Sequence, residues 1–149
     1  HSLGGSLALY LAEQKDPAGV VSLASPTGLR DKRAKYALLI KYFKKYEARD
    51  LTEEEKNFYY DRFSAAGVGQ LVNFIKIYKK GLSKITEPVL IIQLGNDTRI
   101  DPDSANYIYQ NIKSESKKII IIPSIGHALL EGPYKDRVFD EVYIFIKDI

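Results

Sequence analysis

The chain has no cysteine, no methionine and no tryptophan, and only two histidines, His1 and His127. Without cysteine there can be no disulfide, no thiolate metal ligand and no cysteine nucleophile, and nothing points to an oxidising compartment. Two histidines would need carboxylates beside them to complete a zinc site, and no ligand spacing of that kind occurs. No metal site is therefore expected; no organic cofactor is expected either. No run approaches the roughly 18 apolar residues of a membrane span, so a cytoplasmic location is expected. Because methionine is absent, His1 is not an initiator. The sequence opens inside what reads as a motif, and the expectation is a piece of a longer protein, whose upstream signals would not be visible here.

At 149 residues the chain suits one domain, which buries on the order of 70% of the surface its unfolded chain exposes. Its net charge of +3 hides an asymmetry. Residues 28–85 hold 14 Lys/Arg against 7 Asp/Glu, and the remainder holds 8 against 12. A basic segment attracts anionic surfaces such as a lipid or micelle interface, and a solvated helical face accounts for the same pattern. No nucleic-acid partner is expected.

The order of elements carries more information. Leu3, Leu7 and Leu11 with Ala8 and Ala12 have helical spacing, which predicts a buried helix from Ser2 to about Glu13, ended by Asp16-Pro17. Residues 20–24 form a short β-branched run between Gly19 and Pro26, read as a buried parallel strand. Residues 28–85 then read as three helices with no strand between them. Tyr36, Leu39, Ile40, Phe43 and Glu47 follow one helical stripe. Thr52 with Glu55 is a capping box for a second helix through Phe58, Tyr59 and Phe63, broken by Gly67 and Gly69. Leu71, Phe74, Ile75 and Tyr78 mark a third, from about Gln70 to Lys80, stopped by Gly81. Such a block looks like an insertion over the top of a sheet. Strand–helix alternation resumes with a strand at residues 89–94 and a helix to about Ile112, with Asp101 as N-cap and Pro102 at its first position. A strand at residues 119–122 follows, then a helix after Pro133 that faces Val138, Val142, Phe145 and Ile146 inward. The fold class is α/β with a parallel sheet.

Sites in open parallel sheets lie at the carboxyl ends of strands, and two strands here lead into suggestive residues. Asn96-Asp97 follows one, and Gly126-His127 follows another. The run His1-Ser2-Leu3-Gly4-Gly5 stands directly before a helix. A serine needs a base to become a nucleophile, and the base needs an acid to fix its tautomer. Taken singly, Asp97 reads as readily as a turn residue, and His127 as an ordinary loop residue. Asp101 and Asp103 compete with Asp97 for the acid's role, and their helix-start positions already explain them.

The set and its order, Ser then Asp then His, resemble the α/β-hydrolases. Ser2 with Gly4 looks like the nucleophile elbow G-x-S-x-G lacking its first glycine, and the run from Gly81 to Tyr109 resembles small bacterial carboxylesterases and monoacylglycerol lipases. The resemblance implies the C-terminal part of such an enzyme, acting on a small-molecule ester. The core would be residues 1–27 and 86–149, with residues 28–85 as a helical cap. It implies Ser2 as nucleophile, Asp97 as orienting acid and His127 as general base. The backbone N–H of Leu3 would be one oxyanion donor. Gly4 would let the turn pack on the sheet, and Gly5 would allow close helix–strand approach. Tyr36, Phe43, Phe63, Phe74 and Tyr78 would offer apolar lining, though packing of the cap on itself explains them equally. A thioesterase or acyltransferase would use the same triad, and an inactive fragment that only binds or assembles is the alternative from another class. The strand before Ser2 and the loop bearing the second oxyanion donor are absent. The strand at residues 20–24 would then present a bare edge, to be covered by the upstream half of the same enzyme or by self-association.

Overall fold

The computed structural model describes residues 1–40, 42–48 and 60–149. The chain divides into two compact units: His1–Arg30 with Ile75–Ile149, and Asp31–Phe74.

The larger unit is built on a parallel sheet of order β1-β4-β5, from β1 (Val20–Leu23), β4 (Val89–Asp97) and β5 (Lys117–Gly126). Helices α1 (Leu3–Ala12), α4 (Ser104–Asn111) and α5 (Lys135–Asp148) alternate with the strands. The central strand explains the stability of this unit. Val89 through Ile92 are all essentially inaccessible, as a strand covered on both faces requires. Leu90, Ile92 and Leu94 join Leu23, Ile122, Leu129 and Val138 in one core, against which Val142 and Phe145 pack. Alternation sends Val89, Ile91 and Gln93 to the opposite face, where Gln93 meets the start of α4.

Both later strands run further than their apolar cores predict, into the residues of chemical interest. The pairing of β4 with β5 slips between Leu94 and Asn96: Leu94 faces Ile122 but Asn96 faces Ile125. One extra residue of β5 is accommodated at Pro123-Ser124. Proline has no N–H to give a ladder, so a bulge tolerates it. Beyond the bulge Asp97 lies opposite Gly126, one residue before His127.

Three expectations, two about helix faces and one about a cap, are corrected. In α1 the buried line is Gly5, Ser6, Leu9 and Ala12, whereas Leu3, Leu7 and Leu11 are exposed; three small residues and a single leucine, Leu9, form the packed face of this helix. In α5 Val138 is buried, but Ile146 is 59% exposed. At the start of α4, Asp103 rather than Asp101 is the N-cap and makes no side-chain capping bond. The Ala105 N–H donates instead to the Gln93 side-chain oxygen at 2.9 Å.

The smaller unit departs further from the three-helix reading. The stripe from Tyr36 to Glu47 forms a 3₁₀ turn (Lys32–Tyr36) and one short helix, α2 (Ala37–Ile40). Tyr46–Ala48 is then a strand, β2, paired antiparallel with β3 (Arg62–Ser64). Phe63 is thus on a strand, and the proposed capping box of Thr52 and Glu55, with Phe58 and Tyr59, lies outside the described residues. Gly67 and Gly69 do not break a helix but lie inside α3 (Ala65–Gly81). The Ser64 hydroxyl accepts the Gly67 N–H at 3.3 Å and so caps the start of α3. Glycine inside a helix costs about 1 kcal/mol, and burial of Ile75, in the part of α3 that belongs to the larger unit, offsets about 1.5–3 kcal/mol. Phe43, expected on a helical stripe, is 93% exposed. Among the described residues, no helix is long and apolar enough to cross a membrane.

Candidate active site

The site begins with a strained backbone. Ser2 has φ 53° and ψ −127°, and its N–H donates to the Leu23 carbonyl at 2.7 Å. A non-glycine residue in such a conformation costs about 1–3 kcal/mol and persists where its surroundings impose it. Here the imposing features are the Leu23 bond and the helix that starts at Leu3. Gly5 makes the arrangement possible. A Cβ there would fall 2.1 Å from the Ser25 hydroxyl oxygen and 3.5 Å from the Leu23 nitrogen. The Gly4 position differs from expectation, since a Cβ there would meet nothing within 4 Å.

The strands bring the three singled-out side chains together. Ser2 Oγ lies 2.9 Å from His127 Nε2. On the other side of the ring, Nδ1 lies 2.8 Å from one Asp97 carboxylate oxygen and 3.1 Å from the other. An ionised carboxylate only accepts, so Nδ1 carries the proton and donates it to Asp97. Nε2 then presents its lone pair to the serine hydroxyl. Asp97 is fully buried while the His127 side chain keeps 19% of its surface exposed. The buried carboxylate is satisfied, since its Oδ1 also accepts the N–H groups of Arg99 at 2.8 Å and Ile100 at 3.0 Å. That local turn and the contact with His127 are compatible, which the sequence alone did not show.

Asp101 and Asp103 are occupied elsewhere: Asp101 Oδ1 accepts the Asp103 N–H, and Asp103 Oδ1 accepts from the Asn106 amide. Leu3 is the first residue of α1, so its N–H is one of the helix-start donors that lack an intrahelical acceptor. The histidine is held at its own backbone. Gly126 has φ 138°, a value that favours glycine. The His127 carbonyl accepts the N–H of the buried Leu129 and the Nε2–H of His1 at 3.0 Å.

Of the proposed lining residues, Tyr36, Phe43, Phe63 and Phe74 belong to the smaller unit. Tyr78 is corrected: it belongs to the larger unit, is fully buried, and donates its hydroxyl to the Pro26 carbonyl. Burial pushes its phenol well above the usual range, so it stays a protonated donor. It is a prop under the chain that leaves β1. Sequence reasoning also missed Gln93 and Arg30. A lone amide inside the apolar run at residues 89–94 was a signal for Gln93; Arg30 gave none, lying among many surface cations.

A parallel sheet that carries a serine on a strained turn and, at the ends of successive later strands, the acid and histidine that complete its hydrogen-bond chain defines part of an α/β-hydrolase. A solved metagenome-derived lipolytic enzyme has the same fold: it superposes with a TM-score of 0.89 at 18% identity, over 99% of this chain and 63% of its own. The chain belongs to the Hydrolase_4 family, described as serine aminopeptidase, S33, which matches residues 1–133. It is similar to a carboxylesterase of Bacillus subtilis (strain 168), at 25% identity over 99% of this chain and 62% of the relative. It is also similar to a thermostable monoacylglycerol lipase of Bacillus sp. (strain H-257), at 28% identity over 85% of this chain and 52% of the relative. The chain thus spans between half and two thirds of the length of these curated relatives.

Proposed function

We propose that the protein hydrolyses carboxylic esters through an acyl-enzyme on Ser2. The observation that carries this reading is the unbroken hydrogen-bond chain from Ser2 through His127 to the buried Asp97. Ser2 Oγ attacks the ester carbonyl carbon as its proton passes to His127 Nε2. Asp97 holds the ring's orientation and stabilises the imidazolium. The tetrahedral oxyanion takes the Leu3 N–H as one donor, a contact of a kind worth about 10²–10³ in kcat. The imidazolium then protonates the departing alcohol, and the ester bond breaks. Water, deprotonated by the same Nε2, attacks the acyl-serine and releases the acid, returning the proton to Ser2.

The names of the relatives, a carboxylesterase and a monoacylglycerol lipase, support an ester as substrate. The family's description as serine aminopeptidase favours a second reading, amide cleavage, by the same steps with an amine leaving. Turnover of p-nitrophenyl butyrate by the whole protein, set against an aminoacyl p-nitroanilide, decides between them. Ester turnover with little anilide turnover is expected, and the reverse preference would overturn the ester reading. Competing alcohol or thiol acceptors in the same assay separate a hydrolase from a transferase.

A further inference from the structure

The acid of the site is held at its carboxylate by Arg99, Ile100 and His127, but its loop is also held from outside. Arg30 Nη1 donates to the Asp97 carbonyl at 2.7 Å and to the Asn96 side-chain oxygen at 2.9 Å. The backbone around Arg30 is joined to the same loop. Its N–H donates to the Arg99 carbonyl at 3.1 Å, the Asp101 N–H donates to the Gly28 carbonyl at 2.9 Å, and Leu29 and Ile100 form an antiparallel bridge. A short extended segment at residues 28–30 thus runs beside residues 99–101, and one guanidinium nitrogen ties it to the acid's own backbone. Arg30 is also the last residue of the larger unit before the chain enters the smaller one at Asp31.

We propose that Arg30 is a positioning residue for Asp97, fixing the acid's loop so that its carboxylate meets His127. The inference rests on the triad reading above. The guanidinium touches the carbonyl of Asp97 and not its carboxylate, so it acts on where the acid lies and not on the proton directly. An acid that drifts leaves the imidazole ring without its orienting partner, and small misplacements of reacting groups are costly: about 1 Å can lower a rate by about 10². Arg30 makes no contact with the serine, so substrate affinity should be spared and the chemical step should suffer.

The test uses the whole protein and two readouts, ester turnover and the rate at which a fluorophosphonate labels the active serine. Arg30→Met is expected to lower kcat and the labelling rate about tenfold with KM nearly unchanged. Arg30→Lys, which can return one charged nitrogen toward the same two oxygens, should recover part of the loss. The decisive comparison repeats Arg30→Met in an Asp97→Asn background, because a residue that acts through Asp97 has nothing left to position there. The further loss should then be under about twofold. A full tenfold loss in that background would overturn the proposal, as would wild-type labelling by Arg30→Met. If Arg30→Met does not fold, Arg30→Lys in the same two backgrounds tests the same coupling: its loss should vanish beside Asp97→Asn, and an undiminished loss there would overturn the proposal. Absence of labelling in the unmutated protein would instead mean that the triad reading itself has failed.

Discussion

The two units of this chain differ in how firmly their sequences are tied to their folds. In the larger unit Leu9, Ile85, Val89, Leu90, Ile92, Ile108 and Val138 are fully buried, and apolar patterning located every strand and most helices. In Asp31–Phe74, only Ala37 and Gly69 are buried among the described residues. There the helical stripe from Tyr36 to Glu47 became a 3₁₀ turn, a short helix and a strand. A period of 3.6 is a demand that one face be buried. Where the described residues of that face are exposed, as Tyr36, Leu39 and Phe43 are, the period carries little weight against local turn and strand preferences.

The largest expected effect lies in the larger unit, at the acid. Asp97→Asn should lower kcat by about 10⁴, because an amide opposite Nδ1 no longer fixes the tautomer. Asp101→Asn should leave turnover near that of the parent, since Asp101 serves a turn. Steady-state kinetics on both variants separates the two, and equal losses would remove the distinction between catalytic and turn aspartates.

The next effect is on stability. Gly5→Ala drives a methyl group into Ser25, whose hydroxyl accepts from Ser22 at 2.7 Å in a fully buried place. Breaking such a pair costs about 1–3 kcal/mol, visible as a melting temperature lower by several degrees. Phe43→Ser in the smaller unit should change stability by less than about 0.5 kcal/mol. A reversal of that ranking in thermal or urea melts would contradict the comparison of the two units.

The smallest effect concerns the basic segment. Lys32, Arg33, Lys35, Lys44 and Lys45 lie among the exposed Leu39, Tyr42 and Phe43, a combination suited to an anionic lipid surface. Binding of the whole protein to vesicles containing phosphatidylserine should exceed binding to neutral vesicles and should weaken with salt. Equal binding to both at every salt concentration would return these cations to the role of a solvated face.

How far the site was legible follows the same division. Ser2, Asp97 and His127 could be singled out because each stands at the end of a strand or the start of a helix that a short apolar run announces. The bulge at Pro123-Ser124, which pairs Asp97 with Gly126, could not be read, because register depends on strand partners far apart in sequence. Arg30 was hidden for a related reason: its role comes from a contact 67 residues away. Tyr78 looks like lining in the sequence because a stripe residue on a helix has the same spacing whether it meets substrate or a backbone carbonyl.

The most direct measurement is the mass of the protein during turnover. Rapid acid quench of the whole protein with p-nitrophenyl butyrate, followed by peptide mapping, should find one butyryl group on Ser2. The Ser2→Ala variant should lose both the adduct and turnover, by about 10⁶ in kcat on the scale of such triads. An adduct on another residue, or ester turnover that survives Ser2→Ala, would contradict the account.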